Sequence, residues 1–155
     1  LDAGACAAGL ESTIVHVLED GRVMLLRPGA LTRERIEEAA GPLDEPSRGE
    51  GVRAPGMLAR HYATRARLRI NAARAEASEA FLAFGAPPPG VDATLNLSPR
   101  ADLREAAAHL FAMLHALDEA GYARIAVQEI PATGLGEGIN DRLARASASP
   151  DEDSV

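Results

Sequence analysis

Between Ala66 and Ala146 the chain alternates two kinds of apolar segment: short runs suited to strands and longer stripes suited to helices. That order constrains the fold more than any other property of the sequence. Ala80 to Phe84 is apolar and stopped by Gly85; a short apolar run bounded by a turn residue reads as a buried strand. Asp102 and Glu105 then open a stretch in which Leu103, Ala107, Leu110, Leu114 and Leu117 recur at helical spacing. These residues share one face, the two carboxylates resemble a capping box, and Gly121 is a fitting stop. Arg124 to Ile130 reads as an Ile-Ala-Val strand ended by Pro131, and Ile139, Leu143 and Ala146 stripe a last helix. Ala66–Asn71 and Ala93–Leu97 read as further short strands, with the Pro-rich Ala86–Gly90 a rigid loop between. Strands alternating with helices imply a mostly parallel sheet. The expected class is α/β, with a small Rossmann-like domain over residues 65–148.

The first part of the chain reads differently. Residues 1–9 are small and Gly-punctuated, as though the chain enters in the middle of a domain. Ser12 to Leu18 alternates branched and polar residues and Val23 to Arg27 returns, joined by Glu19-Asp20-Gly21-Arg22. Asp-Gly favours the positive-φ positions of a tight hairpin. Thr32 is placed to cap a short helix to Ala40, with Gly41-Pro42 as its stop. Residues 42–53, rich in Pro, Gly and charge, read as a mobile loop, and 149–155 as a disordered acidic tail.

Composition closes off several functions. Hydrophobic residues make up 46 % but aromatics only 3 %, so Ala, Leu and Val must fill the interior. The net charge is −7, which argues against direct nucleic-acid binding, since phosphate contacts need clustered cations. All 16 cations are Arg. With no lysine, a P-loop lysine, a Schiff base and any lysine catalyst from this chain are excluded. One Cys and four scattered His give no zinc spacing; His109 and His115, six apart on the long helix, do not share a face as a metal pair would. The lone Cys6 fits a reducing cytoplasm, and no apolar run approaches the ~18 residues of a membrane span.

Four places could carry chemistry. Glu11-Ser12-Thr13 sets two hydroxyls beside a carboxylate at a strand start, able to donate to phosphate or carboxylate oxygens or simply to serve the strand. Arg27 closes an apolar strand before Pro28-Gly29, placed either to clamp an anion bidentately or to form a surface salt bridge. Gly134-x-Gly-x-Gly138 before a helix could hold an anion on backbone N–H groups or be a structural turn; it lacks the dinucleotide spacing. The segment Ala54 to Thr64 has no strand or helix period, yet carries His61 and Tyr62 in a chain nearly free of aromatics. It reads as an interdomain linker over 53–64 that packs on something.

Taken in order, Gly9-Leu10-Glu11-Ser12-Thr13-Ile14-Val15, Leu26-Arg27-Pro28-Gly29-Ala30-Leu31-Thr32, Ala54-Pro55-Gly56-Met57 and His61-Tyr62 resemble the two-domain L-threonylcarbamoyladenylate synthases. Leu95-Asn96-Leu97-Ser98 and Gly134 through Leu143 resemble that group's C-terminal domain. The resemblance implies that residues 1–52 are the last part of a YrdC-like catalytic domain, followed by a lid-forming linker and an accessory C-terminal domain. It implies an enzyme joining L-threonine, bicarbonate and ATP, the last as its Mg2+ complex, with no tightly bound cofactor. The products would be threonylcarbamoyl-AMP and pyrophosphate, and partner enzymes would carry the threonylcarbamoyl group to tRNA. On that reading Ser12 and Thr13 lie at the nucleotide and acyl-adenylate site, Arg27 contacts phosphate, and His61 and Tyr62 roof the pocket. Thr64 stands where the family usually has Pro, and His16 where an acidic residue is usual. The family's Lys-x-Arg and Ser-x-Asn elements are absent, so the chain alone is expected to be inactive. Two rival readings stay open: a stand-alone small-anion-binding module built on the 134–138 turn, and a dimerising α/β module.

Overall fold

A computed structural model describes residues 9–46 and 64–147. The first segment forms a three-stranded sheet and one helix. Strand β1 (Ile14–Val17) pairs antiparallel with β2 (Val23–Arg27), and β2 pairs parallel with the two-residue β3 (Leu43–Asp44). Asp20-Gly21 turns the hairpin as its residue types require, with Gly21 at φ +85° and Leu18 N–H donating to the Arg22 carbonyl at 2.8 Å. Central β2 is buried along its whole length. Helix α1 (Arg33–Ala40) follows and Gly41 ends it.

Two expectations fail here. Thr32 occupies the N-cap position, but its side chain makes no capping hydrogen bond. Part of the expected loop at 42–53 is ordered instead: Leu43 and Asp44 sit in register with Val23 and Met24. Arg22 anchors that pairing through Asp44 at 2.6 Å. Residues 47–53 lie outside the described residues, as do the expected acidic tail, most of the expected linker, and His61 and Tyr62.

The second segment is the expected parallel layer. Strands β4 (Arg67–Arg69), β5 (Glu79–Ala83), β6 (Leu95–Asn96) and β7 (Arg124–Val127) form one sheet in the order β4-β7-β5-β6, every pairing parallel. Helix α2 (Leu103–Glu119) joins β6 to β7 and α3 (Leu135–Ser147) follows. α2 buries Ala106, Ala107, Leu110, Leu114 and Leu117, the striped face with Ala106 added and Leu103 only partly buried against the core. Its three buried leucines contribute roughly 5–9 kcal/mol of transfer free energy, at about 1.5–3 each, before ordering entropy is subtracted. Asp102 caps α2 by accepting from the N–H groups of Arg104 and Glu105. The return arm of the capping box is rerouted: Ser98 Oγ accepts from Asp102 N–H at 3.0 Å and donates to Glu105.

Leu82, Val127 and Ile125 meet α2 and α3 in the main core, while Phe81, Ala83 and Ala126 point to a smaller cluster under the loops around Ala72 and Val91. The two halves are not separate bodies. Leu10, 5 % exposed, belongs to the main core of the second half. A Cβ on Gly9 would lie 2.2 Å from the Ala107 carbonyl, so the chain there rests directly on α2.

Candidate functional site

The candidate residues that the structure describes collect where the β1–β2 hairpin meets α3. At the open end of the hairpin the register shifts between Ile14 and Val15, which leaves Ile14 opposite Arg27. A bulge of this kind bends a strand and re-aims its flank. Arg27, 8 % exposed, folds back over the bend. Its Nη2 donates to the Ser12 carbonyl at 2.8 Å and to Ser12 Oγ at 3.3 Å, and Nε donates to the same carbonyl at 3.3 Å. The structure therefore brings Ser12 and Arg27 together. Arg27 is thus buried rather than on the surface. Ser12 itself is exposed.

Thr13 faces a different task. Its hydroxyl donates to the Leu31 carbonyl and accepts the Leu31 N–H at 3.2 Å. That pair of bonds fixes the approach to α1.

Beneath this wall lies a residue that sequence reasoning did not single out. Arg142 of α3 is 1 % exposed. Its Nε and Nη2 donate to one oxygen of Glu11 at 3.0 and 2.8 Å, and its Nη1 to the Pro28 carbonyl at 2.6 Å and to Asp141 at 2.8 Å. Arg145 holds the same Asp141 carboxylate at 2.8–2.9 Å. Charge-assisted bonds of this geometry are about twice as strong as neutral ones. The sequence did carry a signal: 142 falls on the face of α3 that also buries Ile139, Leu143 and Ala146, where an apolar residue is expected.

A second link joins α1 to the start of α3. Arg33 donates to Glu137 at 2.6 Å and also reaches Glu45, and the hydrogen bond with Glu137 raises the Arg33 pKa above its ordinary value. Gly134 N–H donates to Glu34 at 3.0 Å. That bond comes first among the causes holding the Glu34 carboxyl below its usual range.

These contacts decide the glycine cluster. Gly134 alone is a turn residue, at φ +56°; Gly136 and Gly138 lie inside α3. A Cβ on Gly136 would stand 1.8 Å from the Pro131 carbonyl oxygen, and one on Gly138 would stand 2.8 Å from Leu10 Cδ1 and 3.6 Å from Gly29. The glycines permit close packing, and the carboxylate at the turn is the chain's own Glu34. His109 bonds the Leu97 carbonyl through Nδ1 at 2.9 Å, and His115 pairs with Glu119 on the surface. Among the described residues no three His, Cys, Asp or Glu side chains gather as a metal site, and no helix is long and apolar enough to cross a membrane.

The geometry defines a mixed α/β domain with a parallel four-stranded sheet, ion-paired through its last helix to a smaller α/β piece. Residues 31–148 match the family model described as threonylcarbamoyl-AMP synthase, C-terminal domain, and the chain belongs to that family. It is 31 % identical over 166 residues to the threonylcarbamoyl-AMP synthase of Bacillus subtilis and 30 % identical over 165 residues to that of Pyrococcus abyssi. Each alignment covers 95 % of this chain and 48 % of the relative, so the chain spans about half the length of the curated relatives it matches. The crystal structure of P. abyssi Sua5 complexed with L-threonine superposes with a TM-score of 0.76 at 28 % identity, over 94 % of this chain and 48 % of that one.

Proposed function

We propose that this chain is the C-terminal portion of an enzyme that condenses L-threonine, bicarbonate and ATP into threonylcarbamoyl-AMP and pyrophosphate, for threonylcarbamoyladenosine in tRNA. Family membership supports the reaction class, and the solved relative bound to L-threonine supports that substrate. The observation in this chain that carries the reading is the Arg27–Ser12 pair. Forming the mixed anhydride at the α-phosphorus expels pyrophosphate and builds negative charge on phosphate oxygens. A guanidinium already turned and held at its site answers that charge without reorganising. Ser12, exposed beside it, adds a neutral donor, and Thr13 contributes through the backbone it fixes.

ATP arrives as its Mg2+ complex, and no resident cofactor is required. The lid role that the family resemblance assigns to His61 and Tyr62, which lie outside the described residues, belongs to the same proposal. The all-parallel sheet supports a Rossmann-like description of residues 65–148, which act as an accessory domain. The setting is cytoplasmic, and tRNA-modifying enzymes take up the product; this acidic chain does not itself bind the nucleic acid.

The stand-alone anion module finds no support, because Glu34 already occupies the amide of Gly134. The test has two arms. The isolated chain should release no pyrophosphate from ATP, threonine and bicarbonate. Fused behind the half of the B. subtilis relative that it does not match, it should restore release, and Arg27→Ala should abolish it. Turnover by the isolated chain, or a fusion indifferent to Arg27→Ala, would overturn the proposal.

A further inference from the structure

We propose that Arg142 is a positioning residue: from the accessory half it sets the distance between Ser12 and Arg27. That these two residues form a nucleotide wall rests on the function proposed above; the positioning itself does not.

The contacts close a ring. Glu11 is bonded to Ser12; Ser12 accepts from Arg27; Arg27 is bonded to Pro28; the Pro28 carbonyl accepts from Arg142; and Arg142 returns to Glu11. Two links are covalent and three are hydrogen bonds to guanidinium groups. A guanidinium is a planar fork with fixed donor directions. One fork edge holds the residue before Ser12, and Nη1 holds the residue after Arg27. The spacing of the two strand ends is therefore held from the side by one guanidinium, alongside the backbone bond from Ala30 N–H to the Glu11 carbonyl at 2.9 Å.

Packing alone does not call for this side chain. Arg142 lies on a face of α3 where Ile139, Leu143 and Ala146 fill the core, and burying a cation costs more than burying an apolar residue of similar volume. Glu11, by contrast, keeps 37 % of its side chain exposed. A buried guanidinium reaching out to a half-exposed carboxylate and a backbone carbonyl specifies geometry at the hairpin end. Gly29 is part of the same constraint: a Cβ there would meet the Glu11 carbonyl oxygen at 2.4 Å, so the two strand ends are already in backbone contact.

The test uses the full 155-residue chain, isotope-labelled, with Arg142→Met as the main variant and Glu11→Ala as the second. In folded Arg142→Met, far-UV circular dichroism should be unchanged. The Arg27 Nε–H resonance should move and lose exchange protection, and the Ser12, Thr13 and Gly29 amides should shift. Arg142→Lys, which keeps the charge but lacks the fork, should not restore them. An unshifted Arg27 Nε–H in folded Arg142→Met overturns the proposal. Should that variant fail to fold, Glu11→Ala, which removes the acceptor at a half-exposed position, carries the same expectation and the same refutation.

A second readout is kinetic, in the fusion described above. Arg142→Met should lower kcat/KM for ATP by at least about tenfold, a loss of about 1.4 kcal/mol of transition-state stabilisation, with KM for ATP moving more than KM for threonine. A working fusion unaffected by the change also overturns the proposal. A wild-type fusion that makes no pyrophosphate sinks the synthase reading instead and leaves the resonance test to decide the positioning.

Discussion

Replacing Gly136 by alanine should damage this fold more than replacing Gly138, although both sit in the first turns of α3. A Cβ at 136 falls 1.8 Å from the Pro131 carbonyl oxygen and 3.0 Å from its carbon, whereas carbon and oxygen rest at about 3.3 Å. The shortfall must come from backbone. The Pro131 segment has little freedom to yield, because Ile130 is 3 % exposed and its carbonyl accepts from Asn140 at 2.9 Å. Overpacking costs about 1–3 kcal/mol, sometimes more, and a clash with pinned backbone belongs at the upper end. At Gly138 the nearest atom is the far methyl of Leu10, at 2.8 Å, which can turn away. Alanine also recovers up to about 1 kcal/mol of helix propensity, so the net loss there should be about 0–2 kcal/mol. For a chain of this size each kcal/mol moves the melting temperature by about 2–4 °C. With the same propensity gain subtracted at 136, Gly136→Ala should therefore melt about 4–12 °C below wild type, and Gly138→Ala about 0–8 °C below it. Thermal unfolding followed by circular dichroism measures both. Repeating the melts in inorganic phosphate separates close packing from anion binding, and no phosphate-dependent difference is expected. Gly136→Ala melting with wild type would refute the packing argument, and phosphate protection lost in the variants would revive the anion turn.

Glu79 should give the fold a pH dependence. The hydrogen bond from Arg69 leads the causes that hold its carboxyl below the ordinary 4.5. A carboxyl depressed in the folded state stabilises above its unfolded pKa, and that contribution is lost as pH falls through the lower folded value. Wild type should thus exceed Glu79→Gln in urea midpoint at neutral pH, with the gap shrinking below pH 4.5; a constant gap would exclude the linkage. Thr13→Val should cost about 1 kcal/mol by stranding the Leu31 amide and carbonyl, and Thr13→Ser should restore it, both read by urea denaturation. In the fusion, Arg27→Lys should lower kcat/KM at least about tenfold, because a point charge cannot reproduce the fork on Ser12. Equal activity would remove Arg27 from the phosphate contact.

Local signals were readable where one residue type dictates one geometry. Asp20-Gly21 announced the hairpin, and the leucine stripe announced α2 with its buried face. The all-parallel character followed from alternation, but the order β4-β7-β5-β6 did not, since parallel pairing joins strands far apart in sequence. Strand β3 escaped notice because two residues between Pro42 and Pro46 show no period. The Ser12–Arg27 contact was half legible: both residues stood out by type, yet only the folded hairpin, with its hydrogen bonds from Arg27 to Ser12, shows that they meet.

The packing role of Gly136 and Gly138 and the reach of Arg142 were missed for one common reason. Spacing rules read each residue against its chain neighbours, and here the relevant neighbour belongs to another element. Gly138 and Arg142 stand four apart, hence on one side of the same helix. The missing side chain at 138 lets α3 lie against Leu10 and Gly29. That approach brings the guanidinium one turn later within 2.6 Å of the Pro28 carbonyl and 2.8 Å of Glu11. A residue larger than alanine at 138 would lift the helix, and a shorter one at 142 would leave the gap unspanned. Closeness and reach are thus two halves of one requirement: the accessory layer must touch the hairpin in order to hold its open end.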